Sequence, residues 1–194
     1  MATWTIDKQF SFCYGHRVWT QELINEYCES GDTSCKCRHL HGHEGLVHVF
    51  LESNCLERGM VTDFKHLGWL KNFLDTYVDH RFVIDHNDPM FKTMVSDLYN
   101  NIGSQDNVIF QNVVVPGTDH VAGQVVDLTN ISSYANTPTY EVVEGYFVVN
   151  FVPTSENLSK WLFDCVDAKM KKIGVNTVRI DWFETPKSRS SYCG

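Results

Sequence analysis

The chain has 194 residues, 43% of them hydrophobic and 13% aromatic, which is enough to enclose one full hydrophobic core. A formal charge of −8, with Lys and Arg nowhere massed on one face, excludes a nucleic-acid or anionic-membrane surface, and no apolar run reaches the about 20 residues needed to span a bilayer. The opening MATWTIDKQF lacks the basic-then-apolar order of a secretory leader, and seven cysteines without framework spacing read as reduced thiols, so a cytoplasmic protein is expected.

From residue 3 to 16 apolar and polar residues alternate, with Phe10, Phe12, Tyr14 and His16 on one face and Ser11 and Cys13 on the other, which predicts a strand ending at a histidine. HGHEGLVHVFLES predicts a second strand, placing His41, His43, Val47, Val49 and Leu51 on one face. A turn through Glu57, Arg58 and Gly59 leads to Asp63, a structural N-cap for a helix with Leu67, Leu70, Phe73, Leu74, Tyr77 and Val78 at helical spacing, which delivers Asp79-His80 at its C-terminal end.

Residues 88–146 are patterned more loosely. They predict a short helix over 91–99, a strand over 108–115, and an elaboration over 116–140 read as a hairpin or flap. Thr154 then caps a second clear helix with the stripe Leu158, Trp161, Leu162, Cys165 and Val166; Lys169, Lys171 and Lys172 suit its negative end, and Gly174 stops it. VNTVRIDWFE predicts a further strand with Val178, Ile180, Trp182 and Glu184 on one side, ended by Pro186. The whole, 1–194, reads as one domain with an insertion at about 88–146.

The chemistry concentrates in CKCRHLHGH. Alternate residues of a strand share a face, so His41 and His43 can reach one metal ion. Two sets complete the ligation: Cys35 and Cys37 in a closed knuckle, crowded into far fewer residues than zinc fingers use, or His16 from the neighbouring strand, leaving an exchangeable position for substrate. His39, His48, His66, His86 and His120 carry no motif and read as surface or capping residues.

FSFCYGHR, CxxxHGH, GMVTDF, DHRF, PTSEN and FETP occur in the order seen in the 6-pyruvoyltetrahydropterin and 6-carboxytetrahydropterin synthases, and the chain resembles that family over about 10–87 and 146–192. The resemblance implies an α+β tunnelling fold: a four-stranded antiparallel sheet with two helices on one face, and a hexamer of two stacked trimers with active sites between subunits; the insertion before the last helix departs from the family. It implies zinc(II) on His16, His41 and His43, a catalytic cysteine before HGH, catalytic Asp79 and His80, and Glu184 anchoring the pterin.

Thr154 is a second candidate for substrate binding, and magnesium(II) a candidate partner of the substrate's triphosphate. Cys37 lies four residues before His41, as in the carboxytetrahydropterin enzymes, and Cys35 six before, as in the pyruvoyl enzymes. The short loop before HGH resembles the former. The expectation is a zinc-dependent lyase converting 7,8-dihydroneopterin triphosphate to 6-carboxy-5,6,7,8-tetrahydropterin, with loss of triphosphate and acetaldehyde, in the 7-deazaguanine (queuosine) pathway. The alternatives are a 6-pyruvoyltetrahydropterin synthase using Cys35 and a non-catalytic zinc-containing pterin-binding protein. Cys37 is expected to be a thiolate of lowered pKa beside a cation or imidazolium. Tyr14 stands where the family has a small residue.

Overall fold

In the computed structural model, which describes residues 3–28, 31–102, 110–129 and 136–194, the alternation of the first strand is its burial pattern. Strand β1 (Trp4–His16) buries Phe10, Phe12, Tyr14 and His16 and turns Ser11 and Cys13 outward. Strand β2 (His41–Ser53) pairs antiparallel with it along its whole length and buries Val47, Val49 and Leu51 on the same face.

Asp63 accepts a hydrogen bond from the Lys65 amide at 2.8 Å and opens a 3-10 turn over Phe64–Leu67 that continues as helix α1 (Gly68–Tyr77). The second long helix, capped by Thr154, lies on the same side of the sheet. Its apolar stripe meets α1 where the Phe73 and Trp161 rings stand 6.2 Å apart, over Val47, Val49, Ile180 and a fully buried Trp182.

The implied four-stranded sheet is corrected to eight strands. Strand β3 (Arg81–Asp85) joins β1 in parallel through Tyr14 and Gly15. After helix α2 (Pro89–Ile102) come β4 (Phe110–Val114), β5 (Val121–Val126), helix α3 (Pro138–Glu144) and β6 (Tyr146–Val149), then helix α4 (Ser155–Met170), β7 (Asn176–Thr185) and β8 (Ser188–Cys193). The order is β4-β5-β6-β3-β1-β2-β7-β8, so the antiparallel set β1-β2-β7-β8 forms one half of a mixed sheet.

The other half exists because β3 and β6 bury both faces. Val83, Phe147 and Val149 face the core under α1 and α4, while Ile84, Tyr146 and Val148 face a second core with Phe91 and Val95 of α2 and Val143 of α3. Parallel strands are stable when covered on both sides, which α1 and α4 provide on one face and α2 and α3 on the other. The segment is also tied to α4: Trp161 Nε1 donates to the Ala122 carbonyl at 2.6 Å, Lys169 Nζ to Pro116 at 2.7 Å and Lys172 Nζ to Gly117 at 2.6 Å. These lysines therefore hold the β4–β5 turn as well as closing the helix.

The helix expected over 91–99 runs over Pro89–Ile102, and the strand expected over 108–115 is described from Phe110. Its first two residues, and 130–135 of the expected elaboration, lie outside the described residues. Among those described, no helix is long and apolar enough to cross a membrane.

Candidate metal centre and active site

The β1–β2 register places His16 opposite His41 and Tyr14 opposite His43, so alternation sends all three imidazoles to the helix-covered face at the end of the sheet. One nitrogen from each lies within 4.8 Å of the others. His16 Nδ1 donates to the Pro153 carbonyl at 2.6 Å and His41 Nδ1 to the His39 carbonyl at 2.8 Å. A carbonyl only accepts, so both rings carry their proton on Nδ1 and present the Nε2 lone pair. This is how metal-ligating histidines are oriented.

The Nε2 atoms of His16 and His43 are buried without a hydrogen-bond partner, an arrangement that costs free energy unless an electron-pair acceptor is bound. The donor set therefore fits a metal ion. Burial lowers the His16 pKa to about 4, aided by His41 and His43 against the Pro153 hydrogen bond, and burial, then His41, lowers that of His43. Beneath the centre, Tyr14 is buried and its hydroxyl accepts from Trp182 Nε1 at 3.0 Å. Tyr14 thus fills the floor of the site, its ring 5.2 Å from that of His16.

Among the described residues, these histidines form the only group of three or more side chains able to hold a metal ion, and the cysteines stand outside it. That geometry disfavours the closed knuckle. A 3-10 turn over Lys36–Arg38 carries Cys37, whose carbonyl accepts from Val18 N at 2.8 Å and is thereby tied to the chain just past His16. The Cys37 thiol is pushed above its ordinary pKa by burial first, then by a hydrogen bond with Cys35 and by the charges of Cys35 and Glu184. In the metal-free site burial therefore acts against the lowering expected beside a cation.

Glu184 Oε1 stands 3.8 Å from His16 Nε2 at the end of β7. Burial and then the charge of Glu156 raise its pKa, and His41 opposes them. Thr154 accepts from the Asn157 amide at 3.3 Å as the cap of α4.

Asp79 and His80 pair through Oδ2 and Nδ1 at 2.9 Å. The Cys13 amide donates to Asp79 Oδ1 at 2.7 Å and the His80 amide to the Cys13 carbonyl at 2.7 Å, which clamps both residues to β1. The Cys13 hydrogen bond is the first cause of a lowered Asp79 pKa. His80 is held in the left-handed region at φ 56°, a conformation costly for a residue with a Cβ, and its side chain is 81% exposed. It borders a cleft of roughly 740 Å³ whose lining also includes His41 and His43, together with Gly42, Glu44 and Tyr146.

No hydrogen bond or ion pair among the described residues joins His80 to Cys35, Cys37 or the three histidines. The structure thus brings His16, His41 and His43 together with Glu184 beside them, ties the Cys37 main chain to Val18 just past His16, and places His80 on a cleft that His41 and His43 also line. Sequence reasoning missed the Pro153 and His39 carbonyls and the Cys13 main chain, because backbone groups leave no side-chain pattern.

The profile of the 6-pyruvoyl tetrahydropterin synthase family matches residues 5–194. A 6-carboxy-5,6,7,8-tetrahydropterin synthase of Aquifex aeolicus is 28% identical over 198 aligned positions, covering 97% of each chain. An uncharacterized protein of Wolinella succinogenes superposes with a TM-score of 0.83 at 40% identity, over 100% of this chain and 99% of its own. The 6-pyruvoyl tetrahydropterin synthase of Plasmodium vivax superposes with a TM-score of 0.55 at 14% identity, over 99% and 98%, and so shares the fold. With its histidine cluster at the end of the β1–β2 ladder and a profile match over nearly its full length, the chain belongs to the 6-pyruvoyl tetrahydropterin synthase family.

Proposed function

We propose that this protein is a zinc-dependent 6-carboxy-5,6,7,8-tetrahydropterin synthase, which converts 7,8-dihydroneopterin triphosphate to 6-carboxytetrahydropterin with loss of triphosphate and acetaldehyde, in the queuosine branch of 7-deazaguanine synthesis. The observation that carries this reading is the convergence of three imidazoles on one point at the end of the sheet, with the half-buried carboxylate of Glu184 beside them. The full-length likeness to the Aquifex enzyme favours the carboxy over the pyruvoyl product.

His16, His41 and His43 hold the metal; when bound, zinc(II) supplies a Lewis acid that stabilises negative charge developing on the substrate's side-chain oxygens. Glu184 accepts hydrogen bonds from the 2-amino and N3 donors of the pterin, a fork matched to a carboxylate, and these donors compensate the burial that raises its pKa. Cys37 accepts the proton removed from the side chain, and its raised pKa makes it the stronger base once ionised. Thr154 acts through the N-terminal turn that it caps, and magnesium(II) accompanies the triphosphate.

Asp79 orients His80, which relays the proton in a site completed by another copy of the chain, and the assembly is a hexamer of two trimers. The exposure of His80 supports this arrangement. The chain works as a single domain in which 88–146 is an insertion, and its free cysteines suit the reducing cytoplasm.

The test is a mass spectrum of the products formed by zinc-loaded protein from 7,8-dihydroneopterin triphosphate, with Cys35→Ala and Cys37→Ala alongside. The expected result is 6-carboxytetrahydropterin that depends on Cys37. A 6-pyruvoyl product depending on Cys35 moves the enzyme to the biopterin branch, and bound zinc without turnover leaves a pterin-binding role.

A further inference from the structure

Two thiols stand together on the turn that precedes the metal-binding strand. Cys35 opens the 3-10 turn that carries Cys37, and both are half-buried free cysteines. Residues two apart span at most about 7 Å between Cα atoms, and a turn shortens that span. Here the turn is closed by the Arg38 amide donating to the Cys35 carbonyl at 3.1 Å, which favours the about 4.4–6.8 Å that a disulfide requires. The Cys37 main chain is fixed by Val18, whereas Cys35 lies at the start of the turn, beside Ser34, Lys36, Arg38 and His39 in a surface hollow of roughly 370 Å³. An oxidant therefore has a route to the pair, and the flanking cations attract anionic ones.

We propose that Cys35 and Cys37 are a modification site at which a low-molecular-weight disulfide closes a reversible Cys35–Cys37 bond, removing the proton-accepting thiol from the active site. The catalytic consequence rests on the reading of Cys37 given above; the covalent step does not. One cysteine, as its thiolate, attacks a sulfur of the small disulfide, forms a mixed disulfide and expels a thiolate. The other cysteine then attacks the protein-bound sulfur, forms the Cys35–Cys37 bond and expels the second thiolate. Two electrons pass from the protein thiols to the small disulfide, and their two protons end on the two small thiols released. The remaining cysteines are less suited to this exchange: Cys165 is buried, and Cys28 and Cys55 are engaged with Ile24 and Ser53. Exposed Cys13 and Cys193 serve as internal controls for reagent access.

The experiment incubates the zinc-loaded protein with oxidised glutathione, traps remaining thiols with an alkylating reagent, and maps peptides by mass spectrometry while turnover is followed in parallel. The expected result is joint protection of Cys35 and Cys37 in a peptide lighter by two hydrogens, loss of turnover, and recovery of both thiols and activity with dithiothreitol. Cys35→Ser is expected to stop at a stable glutathione adduct on Cys37. The proposal is overturned if Cys35 and Cys37 are both alkylated while Cys13 or Cys193 takes up glutathione, or if the adduct on Cys37 persists in the unsubstituted chain. The native-chain peptide decides the matter even where the Ser variant folds poorly. A disulfide formed in a protein that shows no pterin chemistry supports the modification site and counts against the pterin synthase reading alone.

Discussion

His16 is the residue on which the metal centre turns, because it is the most buried of the three histidines and comes from the strand beside the His41-Gly42-His43 pair. Its Nδ1 proton is committed to the Pro153 carbonyl, so substitution removes a preoriented ligand as well as a side chain. His16→Ala is expected to weaken zinc binding more than about 100-fold, exceeding the loss usual for an outer-sphere partner, whereas Cys35→Ala and Cys37→Ala retain stoichiometric zinc. Zinc content after dialysis against a buffered chelator checks this. Zinc lost with the cysteines and kept without His16 would restore the closed knuckle.

The same burial gives the metal-free protein an acid-sensitive site. The unfolded chain takes up a proton on this histidine near pH 6.5, while the folded site resists it until about pH 4. Stability therefore falls as the pH drops through that window, by roughly 3 kcal/mol in full for a shift of this size. His43 acts in the same direction. Urea unfolding of metal-free protein at about pH 7 and about pH 4 is expected to show this loss, and His16→Gln to flatten it.

The elements differ in how plainly the sequence announces them. The β1–β2 ladder was legible because one face is covered and the other open, so burial and exposure alternate residue by residue in FSFCYGH and LVHVFLE. The α4 stripe and its Thr154 cap were legible for the helical counterpart of that reason. The strands β3 and β6 were not, because RFVID and YFVV are short and covered on both sides, leaving an apolar run with no period.

β8 was obscured because SRSSYC is an edge strand with little to bury. Of the site, the three histidines and Glu184 were visible in motif spacing. The raised pKa of Cys37 was not, because it depends on burial and on Glu184, which is remote in sequence. The joint between β5 and β6 offers a direct test. A Cβ at Gly123 would lie 2.5 Å from the Phe147 ring and 2.8 Å from the Val148 carbonyl. Gly123→Ala is expected to cost about 1–3 kcal/mol by forcing β5 away from β6, read by urea unfolding. An unchanged midpoint would mean that the inserted strands contribute little to the fold.

Across the whole molecule, His41 and His43 of the histidine cluster and His80 of the Asp79-His80 pair line one cleft open to solvent, with no hydrogen bond among the described residues joining them. The proposed assembly pairs His80 of one copy of the chain with Cys37 of another. Mixing inactive Cys37→Ala and His80→Ala proteins under conditions that exchange subunits is expected to recover part of the activity, since some sites then pair an intact thiol with an intact histidine. No recovery despite demonstrated exchange would place the relay within one chain or remove it. The central claim, that the histidine cluster holds the zinc on which pterin chemistry depends, is tested most directly by adding zinc back to metal-stripped protein while turnover of 7,8-dihydroneopterin triphosphate is measured. The account predicts activity that rises with zinc, levels off at one equivalent per chain and is absent from His16→Ala at the same zinc concentration. Full turnover by the metal-stripped protein, or by His16→Ala, would contradict it.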